Sequence, residues 1–289
     1  PYITYSKDYI ESVWWSIKQI ADKGLLYKGY KVLPWCPHCM TGLSSHEVGQ
    51  GYKEVEDTAV YVKFELEDEP GTYVLAWTTT PLTLPGNVGL AINPKLKYVK
   101  IKWLRFYDFV QEGENLPMHR SEYYIIARDV FLKNAAKWPD AENEYVWQGQ
   151  HFEIIDNFGE GSLIWKRYKP LFDVPKLRKS EAAYKIYAAD FVSATEGTGV
   201  VHTAVMYGED DYRLGSEVGL PKFHTVTEDG RFIAELEGGE GCTHTVRSNN
   251  VCTVCGLGGM PVKDKETEAK ILKILEAKNL LFAKEKYRH

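Results

Sequence analysis

Apolar residues follow two different spacings along this chain, and together they predict a mixed fold rich in strands. Helical spacing covers residues 8–24, where Gly24 ends the pattern, and residues 267–281 near the end of the sequence. Shorter helices are predicted at 130–137 and 212–218. Alternating or continuous apolar runs predict strands at 59–66, 72–75, 88–92, 98–101, 123–127 and 200–201, with further short strands around Ile154, Leu163 and Leu171.

Two irregular stretches divide these elements. Residues 103–122 carry mixed charge together with Gly113 and Pro117, which predicts a long exposed loop or insertion. Residues 227–262 are rich in glycine and contain most of the cysteines. We therefore predict three parts: a leading helical segment with the first cysteine pair at 1–55, a core at 56–226, and a cysteine-bearing insertion with a return helix at 227–289.

Composition and charge narrow the functional classes. The chain has 289 residues, of which 44% are hydrophobic and 26% charged, as in ordinary globular proteins. Its net charge of −5 argues against general polyanion binding, so any nucleic-acid contact needs a local basic patch. One basic concentration lies at 166–179, and its simplest explanation is a solvated surface. The sequence shows neither a long apolar run nor a secretory signal, and we expect a cytoplasmic protein without membrane contact.

Five cysteines include two Cys-x-x-Cys pairs, a spacing that favours metal ligation in a reducing compartment over a disulfide framework. Cys36 and Cys39 form a turn like a zinc knuckle, but two thiolates supply half of a tetrahedral zinc site. They could be completed by Cys252 and Cys255, or could lack partners. A separate closed site remains open at Cys242, His244, Cys252 and Cys255.

A threonine and proline stretch from Trp77 to Asn87 is the first candidate for chemistry. A strand leads into it, and Pro81 and Pro85 prevent a regular ladder or helix from continuing. Three consecutive hydroxyl side chains then lie where strand becomes stiffened loop, and the Asn87 amide can turn back toward them. This arrangement predicts a polar pocket for a small ligand, lined by Thr78, Thr79 and Thr80. The alternative is that these threonines were selected for strand propensity.

A second candidate follows a glycine turn at 197–199. Val200 and Val201 predict a short buried strand that places His202 at its end, and Asp211 follows nine residues later. A histidine and a carboxylate in this arrangement suggest a site. The alternatives are that His202 is a core residue with satisfied hydrogen bonds and that two of the three acids at 209–211 stabilise the start of the following helix.

These stretches together resemble the editing (CP1) domain of isoleucyl-tRNA synthetase, a class I enzyme. The resemblance rests on Trp77-Thr-Thr-Thr-Pro-Leu-Thr-Leu-Pro-Gly-Asn87, Gly197-Thr-Gly-Val-Val-His202 and Gly208-Glu-Asp-Asp211, and the lead-in Pro34-Trp-Cys-Pro-His-Cys39 is similar too. The leucine and valine enzymes have Thr-Thr-Arg-Pro where this chain has Thr-Thr-Thr-Pro, which favours isoleucine. Leu82 and Val205 depart from the family's usual Trp and Pro. The HIGH and KMSKS motifs of the ATP-using synthetic site are absent from this sequence.

The resemblance implies a barrel-like core, a partner and a set of roles. The partner is the 3′ end of tRNA(Ile) carrying valine, alongside the rest of a parent synthetase chain. Asp211 would bind the substrate ammonium, and His202 would line the side-chain pocket and exclude isoleucine. Thr78, Thr79 and Thr80 would hold the ester, the terminal adenosine and the attacking water, with Trp77 and Asn87 around the adenosine. Editing would need no cofactor, and the cysteines leave a structural zinc open.

The sequence is also compatible with two other functions. The chain could be a zinc-ribbon module that binds RNA without catalysis, with the threonine stretch serving as framework. A third reading keeps hydrolysis but assigns it to a metal-activated water near His202 and Asp211.

Overall fold

The computed structural model describes residues 3–104, 121–137, 143–233, 236 and 256–288, which form two compact units, Pro1–Val32 and Leu33–His289. The first unit contains helix α1 (Lys7–Asp22), which confirms the helix predicted at 8–24. The Ser6 side chain caps the helix by accepting a hydrogen bond from the Tyr9 N–H group. No described helix has the length and apolar character required to cross a membrane.

The second unit alternates short helices with strands. Its described helices are α2 (Ser45–Gln50), α3 (Arg128–Asn134), α4 (Pro175–Arg178), α5 (Glu209–Val218) and α6 (Lys265–Ala277), with a 3-10 helix at Pro81–Gly86. Its described strands are β1 (Trp35–Cys36), β2 (Thr41–Gly42), β3 (Glu56–Glu65), β4 (Thr72–Thr78), β5 (Gly89–Ile92), β6 (Tyr98–Leu104), β7 (Tyr123–Ala127), β8 (Ala136–Lys137), β9 (Glu144–Trp147), β10 (Gln150–Phe158), β11 (Lys185–Ala188), β12 (Val200–Thr203) and β13 (Leu281–Arg288).

Most strands belong to one sheet of eight, in the order β13-β3-β4-β7-β6-β10-β9-β8. Neighbours run antiparallel except β4 and β7, which are parallel. A second sheet of three places β5 between β11 and β12. The mixed, sheet-rich fold is therefore confirmed, but the barrel-like core is corrected. A barrel requires the first and last strands to pair, whereas β13 and β8 remain the two edges of the described sheet.

Aromatic side chains fill the core against the large sheet. Trp147, Phe152 and Phe282 pack with ring centroids 5.1 to 6.2 Å apart, in the range favoured by offset and edge-on aromatic pairs. Phe282 belongs to β13, so the last strand contributes both backbone pairing with β3 and core volume. β3 pairs in turn with β4, the strand that leads into the threonine stretch.

Several predicted boundaries shift for local reasons. The helix predicted at 130–137 ends at Asn134 and is followed by β8. The helix predicted at 267–281 ends at Ala277, and residues 281–288, which had been missed, form β13. Charges alternate along that strand, which suits the edge position it occupies. Leu163 lies in a turn and Leu171 in an irregular stretch, while 105–120, most of the predicted loop, lies outside the described residues.

Candidate functional site

The threonine stretch is held by hydrogen bonds within itself. Thr78 ends β4, and the 3-10 helix that follows has Pro81 in its first turn. The Thr78 hydroxyl oxygen accepts from the Thr80 N–H group at 3.1 Å, and the Thr83 hydroxyl donates to the Thr80 carbonyl at 2.8 Å. The predicted end of the strand is confirmed, but the expectation that Pro81 and Pro85 exclude a helix is wrong, because both lie within the 3-10 helix, where the lack of an N–H group at its first residue is tolerated.

His202 lies in β12 and faces this loop. Its Nε2 atom is 2.8 Å from the Thr83 hydroxyl oxygen, and its Nδ1 atom is 3.5 Å from the Asn87 amide nitrogen. The residue is 7% exposed, and burial lowers its pKa to about 4. His202 is therefore neutral at pH 7.

Asn87 is fixed from two further directions. Its amide nitrogen donates to the Gly89 carbonyl at 2.9 Å, and its amide oxygen accepts from the Tyr168 hydroxyl at 2.7 Å. Tyr168 is fully buried and packs edge-on against Phe64, with ring centroids 5.2 Å apart. Sequence reasoning missed the role of Tyr168 because it lies 81 positions from Asn87 and no local pattern marks it. It also passed over Thr83, although the hydroxyl lies inside the recognised stretch.

Asp211 approaches the same strand end from α5. The sequence predicted that the acids at 209–211 precede a helix beginning at 212. They instead lie within the first turn of α5. The Asp211 carboxylate accepts from the Ala204 N–H group, directly after β12, at 3.3 Å. Burial raises its pKa to about 6, and the negative charge of Asp210 adds to the rise while the Ala204 N–H group opposes it. A Cβ at Gly208 would lie 2.9 Å from this carboxylate, so glycine permits the close approach.

The other predicted site residues do not join the network around His202. The Trp77 indole N–H donates to the Glu285 carboxylate of β13 at 2.9 Å, and its ring packs edge-on against Tyr287. Successive strand side chains point to opposite faces, so Trp77 points away from Thr78. Thr79 is half-buried at the bend after β4. The adenosine-binding role of Trp77 and the role of Thr79 stay predictions.

The first cysteine pair lies on a hairpin, and both of its thiols are free of disulfides. Cys36 and Cys39 lie on the β1–β2 hairpin, and the Cys39 N–H group points at the Cys36 sulfur at 3.4 Å. Backbone N–H groups of Cys39 and His38 lower the pKa of Cys36, whereas the hydrogen bond and charge of Cys36 raise the pKa of Cys39, so the pair favours one thiolate rather than two. Within the described ranges, no three His, Cys, Asp or Glu side chains meet in a metal-binding group. Cys242, His244, Cys252 and Cys255 lie outside the described residues, so the zinc assignments stay predictions.

The basic concentration at 166–179 is largely neutralised by acidic partners. The ion pairs are exposed or partly exposed and join Lys166 to Asp68, Arg167 to Glu67, Lys169 to Glu65 and Arg178 to Asp173. Three of the four partners lie in 65–68, at the end of β3 and in the turn that follows it. This surface therefore presents little of the unpaired positive charge that an RNA backbone requires.

The family model described as tRNA synthetases class I (I, L, M and V) matches residues 1–231. The chain belongs to this family of class I tRNA synthetases. The match includes the threonine stretch, His202 and Asp211, whereas α6 and β13 lie beyond its end.

Relatives of this class I synthetase chain share its full length. The isoleucine–tRNA ligase of Clostridium tetani is 38% identical over 289 residues, and that of Bacillus thuringiensis strain Al Hakam is 39% identical. Each alignment covers 100% of this chain and 23% of the relative, so the chain spans about a quarter of the curated relatives' length. Among solved structures, the P. knowlesi cytosolic leucyl-tRNA synthetase editing domain gives a TM-score of 0.47 at 13% identity, covering 81% of this chain and 98% of that one.

Proposed function

We propose that this chain is the editing domain of an isoleucyl-tRNA synthetase and hydrolyses valine esterified to tRNA(Ile) in the cytoplasm. The observation that carries the proposal is the meeting, at the end of β12, of a neutral histidine, fixed hydroxyl groups and a carboxylate. Similarity over the whole of this chain to part of proteins named isoleucine–tRNA ligase supports isoleucine specificity. The threonine triplet Thr78-Thr79-Thr80, in place of Thr-Thr-Arg, supports the same choice.

A second site is needed because apolar binding discriminates poorly between homologous side chains. One methylene is worth about 1–3 kcal/mol, and isoleucine against valine is the standard example of this limit rather than a result for this chain. A hydrolytic pocket that admits valine and excludes isoleucine by size corrects the errors that pass. His202 is suited to form its wall because hydrogen bonds on both ring nitrogens hold the imidazole in place.

Asp211 is the group suited to hold the substrate. A pKa of about 6 leaves the carboxylate mostly ionised at pH 7, and the ammonium group of an aminoacyl ester is a charged donor that it can bind. An ammonium group nearby also favours the ionised form further. Asp211 thus would orient the ester carbonyl relative to the threonine hydroxyls.

The proposed chemistry is attack by a positioned water. Water adds to the ester carbonyl carbon, the bond to the ribose oxygen breaks, and that oxygen takes up the proton that the water loses, which releases valine as its acid and the ribose as a free hydroxyl. His202 has both ring nitrogens engaged, so orientation of water by Thr78, Thr79, Thr80 and the substrate fits better than a covalent intermediate. No cofactor is proposed for this step, and a structural zinc at Cys36 and Cys39 would be completed by ligands outside the described residues.

The test is hydrolysis of Val-tRNA(Ile) against Ile-tRNA(Ile) by this chain, with Asp211→Ala beside it. We expect faster release of valine and a loss of hydrolysis or of discrimination in the variant. Tight, salt-dependent RNA binding without hydrolysis of either ester would favour the RNA-binding module instead. If neither ester is cleaved, binding of a 3′-aminoacyl-adenosine analogue separates weak tRNA affinity from a wrong site, because a correct site would still bind the analogue.

A further inference from the structure

We infer that Thr83 and Tyr168 are positioning residues that hold His202 as the neutral tautomer with its proton on Nε2. The imidazole is then a fixed wall of the site and not its general base. Two independent hydrogen-bond paths reach the ring, one at each nitrogen, and each ends on a backbone carbonyl. Carbonyl oxygens accept hydrogen bonds and never donate them, so each path has a defined direction.

The first path fixes the proton on Nε2. The Thr80 carbonyl oxygen is 2.8 Å from the Thr83 hydroxyl oxygen. Because the carbonyl can only accept, the Thr83 hydroxyl donates its hydrogen to it. What remains on the Thr83 oxygen is acceptor capacity. The His202 Nε2 atom lies 2.8 Å from this oxygen and can make a hydrogen bond there by donating. Nε2 therefore carries the proton.

The second path fixes a lone pair on Nδ1. The atom of the Asn87 amide that lies 2.9 Å from the Gly89 carbonyl must be the nitrogen, because an amide oxygen there would face another acceptor. The Tyr168 hydroxyl donates to the other end of the amide at 2.7 Å, which agrees with that orientation. The amide nitrogen thus turns a donor toward Nδ1 at 3.5 Å. A second proton on Nδ1 would meet this donor head-on.

The consequence is chemical as well as geometric. A general base needs a free lone pair within reach of the attacking water, and in His202 the Nδ1 lone pair faces Asn87 while Nε2 is a donor to Thr83. The ring can neither rotate nor accept a proton without breaking one of the two paths. Under the proposed function, on which this step rests, Thr83 and Tyr168 set where the pocket wall stands and hence how well isoleucine is excluded.

The tautomer itself is tested without any substrate. Nitrogen-15 NMR of the 289-residue chain at pH 7 reports each ring nitrogen, and His202 is assigned by the signals that vanish in His202→Gln. We expect a protonated Nε2 and an unprotonated Nδ1. A protonated Nδ1, a mixture of tautomers or a doubly protonated ring in the wild-type chain would overturn the inference, whatever the variants do.

Three substitutions test the two paths separately. Thr83→Val removes the acceptor, so we expect the Nε2 proton to exchange with solvent at least about tenfold faster, whereas Thr83→Ser keeps the slow exchange. Asn87→Asp puts an acceptor where the donor was, so a proton should appear on Nδ1. Unchanged nitrogen shifts in the folded Asn87→Asp chain would overturn the second path.

Tyr168→Phe and Tyr184→Phe form a matched pair. Both rings are buried and lie 6.0 Å apart. Tyr168 donates to Asn87, whereas the Tyr184 hydroxyl has no hydrogen-bond partner in the described part of the chain. We expect Tyr168→Phe to broaden or shift the His202 signals and Tyr184→Phe to leave them in place. Equal effects of the two variants would reduce Tyr168 to a packing residue and contradict its positioning role.

Discrimination supplies the functional readout. We expect Thr83→Val to lower the ratio of kcat/KM for valine over isoleucine esters by about tenfold, chiefly by admitting isoleucine, with the valine kcat less affected. An unchanged ratio would remove Thr83 from specificity. Because the NMR result does not need catalysis, a chain that hydrolyses neither ester contradicts the proposed function alone, and a wrong tautomer in an active chain contradicts this inference alone.

Discussion

His202 and Asp211 lie near the same end of β12, His202 within the strand and Asp211 on α5, and their polar atoms are held differently. Among the residues that the structure describes, His202 has a side-chain partner at each ring nitrogen, whereas the Asp211 carboxylate accepts one hydrogen bond, from the Ala204 N–H group. Burial disfavours charge on both, so it lowers the pKa of His202 to about 4 and raises that of Asp211 to about 6. At pH 7 the histidine has become neutral, and the carboxylate is still charged.

The difference indicates a division of labour. A ring with both nitrogens satisfied contributes shape, because it has no capacity left for a ligand. A carboxylate offers about four lone-pair sites and keeps most of them available after one weak backbone contact. A charged group that is partly desolvated and incompletely paired is destabilising until a ligand arrives. The two residues therefore predict opposite consequences of substitution.

The largest expected effect comes from substituting Asp211, the residue whose carboxylate keeps acceptor capacity for a ligand. Asp211→Asn keeps the size of the side chain and an oxygen for the Ala204 N–H group, but removes the charge. Hydrogen bonds to charged groups are worth about 1.5–3 kcal/mol, so kcat/KM for Val-tRNA(Ile) should fall by about 10- to 150-fold. Steady-state deacylation measures this.

Asp210→Asn is the matched control, because Asp210 lies on the same helix turn, is exposed and pairs with Arg213 at 3.1 Å. Its hydrolysis should stay within about twofold of wild type at pH 7. Equal losses in the two variants would mean that the helix as a whole, rather than the Asp211 carboxylate, matters.

The pH dependence of stability should separate the two residues by sign. For Asp211 the folded-state pKa is raised, so the folded form binds the proton more tightly and stability falls as pH rises from about 4 to about 6. For His202 the folded-state pKa is lowered, so its contribution is complete above about 6.5 and is lost as pH falls toward 4. Each is worth on the order of 2–3 kcal/mol across its window. In the wild-type chain the two slopes oppose each other.

Each variant should expose the slope of the residue it leaves intact. Relative to wild type, Asp211→Asn should gain stability at pH 7 and lose that gain near pH 4. His202→Gln should be most destabilised at pH 7, with the gap narrowing by about 2 kcal/mol at pH 5. Urea unfolding at several pH values measures both. Parallel pH curves for the two variants would contradict the opposite assignments of charge.

The features that could be predicted from the sequence are those whose residues lie close together along the chain. Strands β4 and β12 were predictable because their apolar and β-branched residues are contiguous, and Pro81 and Pro85 mark the end of the ladder locally. The residues around 77–87, 202 and 211 were recognised as candidates because each carries its signature within a few positions. Their mutual placement came from resemblance, not from spacing.

What the sequence could not predict depends on distant contacts. The sequence of residues 281–288 did not predict an edge strand, because its charged residues are equally typical of the exposed end of a helix. The partner of Trp77 was hidden for the same reason, since Glu285 lies on that strand. Tyr168 is one of 19 tyrosines, and its role exists through a hydrogen bond to a residue 81 positions away.

A smaller effect is expected at Glu285, whose carboxylate, like the His202 ring, is hydrogen-bonded to neighbouring side chains. Glu285 accepts from the Trp77 indole at 2.9 Å and from the Tyr61 hydroxyl at 3.2 Å, and burial together with this carboxylate raises the Tyr61 pKa. Glu285→Gln should lower the free energy of unfolding by about 1 kcal/mol, because an amide accepts less strongly than a carboxylate. Discrimination between valine and isoleucine esters should not change. A loss of hydrolysis that exceeds the loss of stability would instead tie Trp77 to the substrate.

The smallest expected effect concerns the cysteine hairpin, and it bears on what Asp211 binds. If the open carboxylate awaits an ammonium group, hydrolysis needs no ion, and neither Cys36→Ser nor a chelator should change kcat/KM by more than about twofold. A structural zinc would still be visible as a lower thermal midpoint after chelation, since metal binding stabilises the folded form. Loss of hydrolysis with chelator, restored by added zinc and also seen in Cys36→Ser, would link the hairpin to the site through structure. A different result would be a Cys36→Ser chain that is active but loses hydrolysis when chelator is added. Because the hairpin in that variant no longer binds a metal ion, this result would point to an ion beside Asp211.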